Sequence, residues 1–156
     1  MIVVDSNIIA ARTLTASLSS IAERLEKNDS VWIVPTLWRY EFQNILATAI
    51  KAKQITAADA KEVWERVAGI LADNESEPSP LKVQGLVARF RITADDGQFI
   101  ALAMEMNIPC ITEDRALWER FPGITVSMHD FMNPPTTRAI REKSGRYRGR
   151  KIRFKD

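Results

Sequence analysis

Asp5, Glu41, Asp96 and Asp114 are the residues of this chain whose type and spacing point to shared chemistry. Asp5 ends the apolar opening run Ile2-Val3-Val4, and Asp114 follows the run Ile108-Pro109-Cys110-Ile111-Thr112. Asp96 lies in the first turn of an Ala-rich segment, and Glu41 interrupts an apolar helix face between Leu37 and Ile45. Each stands where a strand end or a helix would carry it toward one point. Carboxylates gathered in this way repel one another unless something positive sits between them, and a divalent cation is the usual answer. Oxygen-only donors with no usable His or Cys cluster favour a hard cation over zinc.

Every one of these acids also has a structural reading. Asp5 and Asp114 would cap the turns that follow them, since Asp is a strong N-cap. Thr93-Ala94-Asp95-Asp96 reads as a capping box with Asp in place of Glu. Glu41 is the hardest to explain away, because it lies on or beside the stripe that should face the core. A carboxylate there costs stability unless a metal, a cation or hydrogen-bond donors meet it. The structural alternative is a buried ion pair with an arginine.

The elements that must position these residues alternate between strand and helix. Met1–Asp5 and Val31–Val34 read as buried strands, the second stopped by Pro35. Leu14, Leu18, Ile21, Ala22 and Leu25 recur at helical spacing. Thr36 is expected to cap a helix running to about Lys53. Thr56 announces a helix with Ala60, Val63, Trp64, Val67 and Leu71 as its stripe. The segment Asn74–Pro80 reads as a loop or short edge strand, and Leu81–Phe90 as a helix. Thr93 caps a helix that is apolar nearly all round through Met106, and so buried. Ile108–Thr112 and Ile124–Met128 are the remaining strands, with a short helix near Ala116–Arg120 between them. Such alternation indicates an α/β sandwich around a largely parallel sheet. Ligands collect at the carboxyl ends of strands in these sheets, which is where Asp5 and Asp114 fall.

With 156 residues the chain reads as one domain able to bury a core without disulfides. Its 46% hydrophobic and 27% charged residues are those of a soluble globular protein. The single cysteine, Cys110, lies in an apolar run and reads as a buried hydrophobe, which fits a reducing compartment. No apolar run approaches the ~20 residues of a membrane span, and the N-terminus reads as a strand rather than a signal peptide. A cytoplasmic protein is expected. The net charge of +2 conceals an asymmetry: residues 138–156 hold nine Lys or Arg against Glu142 and Asp156, a balance of +7, while the rest carries −5.

Asp5-Ser6-Asn7, Glu41 in an early helix, Asp96-x-x-Phe99-x-Ala101-Leu102-Ala103 and Thr112-x-Asp114-Arg115 together resemble the PIN-domain nucleases, and among them the VapC-type toxins of bacterial toxin–antitoxin pairs. The resemblance covers about residues 1–132, with its most specific part from Asp96 to Asp114. The register of Phe99, Ala101, Leu102 and Ala103 assigns the family position to Asp96 and leaves Asp95 on a different helical face. The resemblance implies a three-layer α/β/α fold and a metal-dependent endoribonuclease using one or two Mg²⁺ or Mn²⁺ ions. Two ions about 3.5–4 Å apart would activate water and stabilise the leaving oxygen of an in-line phosphodiester displacement. In that reading Asp5 and Asp96 are direct ligands, and Asp114 completes the site or binds a second ion. Glu41 binds metal through water or orients the attacking water. Asn7 and Thr112 are candidates to hold the ligands by hydrogen bonds, or else to stabilise a turn and cap a helix. A homodimer and a cognate antitoxin that covers the helical surface and blocks the cleft are also implied. Trp38, Phe42, Trp64 and Trp118 are candidates for those surfaces, although aromatics at helical spacing are more often core.

Pro134-Pro135 closes the compact domain, leaving residues 133–156 as a basic extension outside the resemblance. Its cations alternate with Tyr147 and Phe154, a composition suited to neutralising phosphates and stacking on bases. A solubilising tail and a tail that folds back onto the acidic cleft are the other readings. His129 is a poor acid–base candidate, and with no second histidine a metal-free paired-histidine mechanism is excluded. Two alternatives remain from other classes. One is a catalytically inactive PIN-like RNA-binding protein, against which the presence of all four acids argues. The other is a phosphoacceptor domain, which would want a lysine after a late strand where this chain has His129-Asp130-Phe131.

Overall fold

The computed structural model describes residues 1–14 and 17–134. Four short strands, β1 (Ile2–Val4), β2 (Trp32–Ile33), β3 (Cys110–Ile111) and β4 (Thr125–Val126), form a parallel sheet in the order β2-β1-β3-β4. Helices cover both faces, as expected for a three-layer α/β/α arrangement. Strand alternation divides the core cleanly. Ile2 and Val4 of β1, with Trp32 and Ile111, face a cluster built from α1 (Ser6–Thr13), α2 (Ser19–Asn28), α3 (Trp38–Lys51), α4 (Ala57–Leu71) and the terminal helix α8 (Met128–Met132). Val3, Ile33 and Cys110 face the other way, onto Phe99, Leu102 and Ala103 of α6 (Ala94–Met106). Beyond them α5 (Pro80–Phe90), α6 and α7 (Arg115–Arg120) close over Val83, Leu86, Ile100, Leu117 and Phe121.

Chain order reverses at β1, which has β2 on one side and β3 on the other. The switch point of a parallel sheet is where its carboxyl edge opens a crevice. Here the amide of Asp5, just past β1, donates to the carbonyl of Ile111 at 3.0 Å, and that of Thr112 donates to Val126 at 3.2 Å. These bonds carry the sheet pairing up to the residues that line the crevice.

Several elements depart from the sequence expectation. The apolar spacing from Leu14 to Leu25 conceals a break: α1 ends at Thr13, and α2 begins only at Ser19. Helix α1 was not foreseen, because its eight residues follow directly on Asp5 with no spacer and carry almost no amphipathic pattern. Thr36 does not cap α3. Its hydroxyl and amide both donate to Glu77, and the helix starts two residues later without a side-chain cap. Glu75 forms an isolated parallel bridge with Val34, and residues 76–79 of the segment expected as a loop or short edge strand are loop. The last strand is only Thr125–Val126, because Ser127 accepts from the amide of Asp130 and caps α8 where strand was expected. Trp38 and Phe42 are fully buried and stack with Trp64 at centroid distances of 5.5 and 6.4 Å. They are core, not docking surface. Thr56 caps α4 as expected, in a reciprocal box with Asp59. The basic extension lies outside the described residues, apart from Asn133 and Pro134.

Candidate active site

Asp5 is the N-cap of α1, Glu41 sits in the first turn of α3, Asp95 and Asp96 in the first turn of α6, and Asp114 is the N-cap of α7. Every one of these acids therefore stands at a helix N-terminus, where the partial positive charge of unpaired amides favours an anion. Helices α1 and α7 follow strands β1 and β3 after one and three residues, so their N-termini lie at the carboxyl edge of the sheet.

Asp5 is held from several sides. Its Oδ2 accepts from the Thr112 hydroxyl at 2.6 Å and from the Asn7 side-chain amide at 2.7 Å. Its Oδ1 takes the long 3.4 Å bond from the Asn7 backbone, and so has capacity to spare. The Asn7 side-chain amide also donates to Thr112 at 3.1 Å, and its Oδ1 accepts from the amide of Glu113 at 3.3 Å. Thr112 is fully buried, and its hydroxyl oxygen also accepts from the amide of Asp114 at 3.1 Å. One hydroxyl thus ties Asp5, Asn7 and the start of α7 together. Thr112 caps nothing and Asn7 does more than stabilise a turn; both are fasteners of Asp5.

Among the described residues Glu41 has no arginine partner. The buried hydroxyl of Ser6 donates to its Oε2 at 2.6 Å, while Arg39, two residues before it, pairs with Glu75 at 2.6 Å. Ser6 was not foreseen as a site residue. The signal was its place next to Asp5, and it became readable only once α1 was known to turn Ser6 toward α3.

The acids act on one another. Burial pushes the Asp5 carboxyl above its ordinary pKa and the charge of Asp96 adds to the rise, while the bonds from Thr112 and the Asn7 and Ser6 amides oppose it. Burial likewise raises Glu41, against the Ser6 hydroxyl, and the charges of Asp5, Asp95 and Asp96 raise it further. Asp95 was set aside on helical register, but it is close enough to act on Glu41. Thr93 caps α6 by accepting from the Asp96 amide at 3.0 Å, yet the reciprocal half of the box is not made, so the Asp96 carboxylate is not consumed in capping. Asp114 is exposed, and its Oδ1 accepts from Ala116 at 2.7 Å, the capping role that was its structural alternative. It connects to Asp5 through Thr112 rather than by direct contact.

The donor chemistry suits a hard divalent cation: carboxylate oxygens only, near enough for their charges to act on one another, and partly withdrawn from water. Among the described residues no three His, Cys, Asp or Glu side chains stand close enough to enclose an ion. The arrangement is therefore an open one, with Asp5 tied back by Thr112 and Asn7. His129 is exposed, and among the described residues its ring pairs with Asp130 alone, at 3.4 Å. Cys110 is buried within the sheet, and burial drives its thiol upward, away from reactivity.

The PIN domain family model matches residues 2–123. The chain belongs to the PIN domain family. The match ends before the basic extension and includes all four acids, from Asp5 to Asp114. A similar fold is found in the crystal structure of PAE2754 from Pyrobaculum aerophilum, which superposes with a TM-score of 0.66 at 18% identity over 84% of this chain and 92% of that one. At that identity the likeness concerns the fold. No curated protein matches the sequence. PIN domains are generally nucleases that use divalent metal ions, so this chain carries a nuclease-type fold. Among the described residues no helix is long and apolar enough to cross a membrane.

Proposed function

We propose that this PIN domain is a metal-dependent endoribonuclease that hydrolyses RNA phosphodiester bonds, and that it serves as the toxin of a toxin–antitoxin pair in the cytoplasm. The observation that carries the reading is the placement of Asp5, Glu41 and Asp96 at helix N-termini by the switch point of the sheet, where burial and neighbouring charge both raise the Asp5 and Glu41 carboxyls. A protein does not crowd partly buried carboxylates without a compensating charge unless they have work to do. Mg²⁺, or Mn²⁺ in its place, would be held by Asp5 and Asp96, with Asp114 completing the site or taking a second ion. Bound there, such ions supply Lewis-acid stabilisation and lower the pKa of water.

The remaining roles fall to the chain itself. Thr112 and Asn7 hold the Asp5 carboxylate through Oδ2, leaving Oδ1 with the long bond from the Asn7 amide. Glu41, fixed by Ser6 and already biased toward accepting a proton, is suited to orient the attacking water and take its proton. Recognition of one RNA over another would rest on groove shape and scattered basic side chains. In the toxin role, a homodimer and a cognate antitoxin follow as partners. Exposed apolar residues on the helical surface, Tyr40, Ile50 and Ile70, are the kind that such partners cover.

Cleavage of a structured RNA with Mg²⁺, with and without EDTA, tests the activity on wild type and Asp96→Asn. Metal-dependent cleavage by wild type alone is expected; equal activities would sink the catalytic claim. Inducible expression tests the toxin role separately, with growth arrest expected from wild type and none from Asp96→Asn.

A further inference from the structure

Away from the acids, α5, α6 and the turn between α7 and β4 enclose a hollow of about 380 Å³. Leu86, Phe90, Met104, Phe121 and Ile124 make its walls, and its lining is almost entirely apolar. Ile124 precedes β4, so the hollow lies toward the amino end of that strand, whereas the acids lie at the carboxyl ends. Three cations, Lys82, Arg89 and Arg120, also line it, and no acidic residue does. Among the described residues none of the three is in an ion pair. Arg120 is braced by donating to the carbonyls of Phe90 and Arg91 at 3.2 and 3.0 Å, and Arg89 lies over the Phe90 ring at 5.1 Å. Lys82, Gly85, Leu86 and Arg89 follow one another along one face of α5. Gly85 sits mid-helix, where glycine is a poor choice, and a Cβ there would meet nothing within 4 Å. The missing side chain keeps the hollow open.

An apolar concavity of this size with a few placed polar groups is what small-molecule sites look like. We propose that it binds a free anionic amphiphile, a ligand with an apolar body and a single anionic headgroup such as a carboxylate. The apolar body fills the space over Gly85, and the headgroup meets the cationic rim. Charge selects this occupant over the alternatives near at hand. The chain's own 138–156 segment carries +7 and would be repelled, and a second copy docking the same face in a two-fold dimer would set like charges against each other.

Octanoate, 1-octanol and octylammonium share an apolar chain and differ in charge, so their titration into the full chain, followed by amide NMR and calorimetry, separates the contributions. Octanoate should bind about tenfold or more tighter than octanol, with octylammonium weakest, and should shift Leu86, Met104 and Phe121. Gly85→Leu should fold with an unchanged or raised melting temperature and lose octanoate binding, because its side chain occupies the hollow. The Lys82→Gln/Arg89→Gln variant should retain octanol binding and lose the preference for octanoate. Equal affinity for octanoate and octylammonium, or wild-type binding by Gly85→Leu, would overturn the proposal. So would absence of saturable binding, attachment to anionic vesicles without binding of free octanoate, or binding of single-stranded RNA to this face in place of octanoate.

Discussion

Replacing Thr112 with valine removes one oxygen atom from the middle of the site while keeping the shape of the side chain. The lost hydroxyl donates to the ionised Asp5 carboxylate at 2.6 Å and accepts from Asn7 and from the amide of Asp114, each at 3.1 Å. A hydrogen bond to a charged group contributes about 1.5–3 kcal/mol and a neutral one about 0.5–1.5 kcal/mol. These are coupled, and Asp5 keeps its bond from Asn7, so the net loss should be about 2–3 kcal/mol, or about 5–10 °C in melting temperature. The bond to Thr112 lowers the Asp5 pKa, which burial has already raised, so its loss must raise that pKa further. The stability difference from wild type should therefore be full above the variant's Asp5 pKa and shrink as the pH falls through it, because a protonated carboxyl has no need of the donor. Urea denaturation across the acid range, with carboxyl-carbon NMR of Asp5, measures both effects. Thr112→Ser, which restores the hydroxyl, should recover most of the loss. A Thr112→Val variant within about 0.5 kcal/mol of wild type at neutral pH, or an Asp5 pKa that does not rise, would refute the reasoning.

Three further outcomes follow from neighbouring groups. Ser6→Ala removes the donor to Glu41, whose pKa burial already raises, so the acid limb of the cleavage profile should move to higher pH; an unmoved limb would detach Glu41 from catalysis. Asp95→Asn should reduce cleavage about tenfold at most, while Asp96→Asn should reduce it about a hundredfold or more, and the reverse order would show that helical register chose the wrong residue. Arg91 ends α5 with φ of 53°, in the left-handed region, so Arg91→Gly should raise stability by about 0.5–1 kcal/mol in chemical denaturation. A loss there would mean that the side chain contributes more than its backbone strain costs.

The parallel sheet and the long helices could be read from sequence because burial and period leave direct marks: Val3 and Cys110 face one layer, Ile2, Val4 and Ile111 the other. Helix α4 and its Thr56 cap were equally legible, since stripe and cap agree. Elements whose role is local left weaker marks. Helix α1 lacks a stripe because it is buried along much of its length, and the break before α2 hides inside apolar spacing that continues across it. Thr36 looked like a cap because a hydroxyl before a helix usually is one; here a glutamate 41 residues away competes for the same hydroxyl. In the site, types and positions of the acids were visible, and so were Asn7 and Thr112. The partner of Glu41 was not, because Ser6 reaches it from another helix and only the packing of α1 on α3 brings them together. The influence of Asp95 on Glu41 was hidden for a similar reason. Helical register decides which face a residue occupies, but a charge acts through space on groups its side chain does not touch.

If Asp5 and Asp96 hold a divalent cation between them, Mn²⁺ binding measures it without reference to any RNA. Titration of Mn²⁺ into the full chain near neutral pH, followed by calorimetry and by paramagnetic broadening of the Asp5, Glu41 and Asp96 signals, should give saturable binding localised to these residues. Asp5→Asn/Asp96→Asn should weaken it about a hundredfold while raising thermal stability, because the repulsion disappears with the charges. Equal Mn²⁺ affinity in wild type and the double variant, or broadening centred elsewhere on the molecule, would contradict the account.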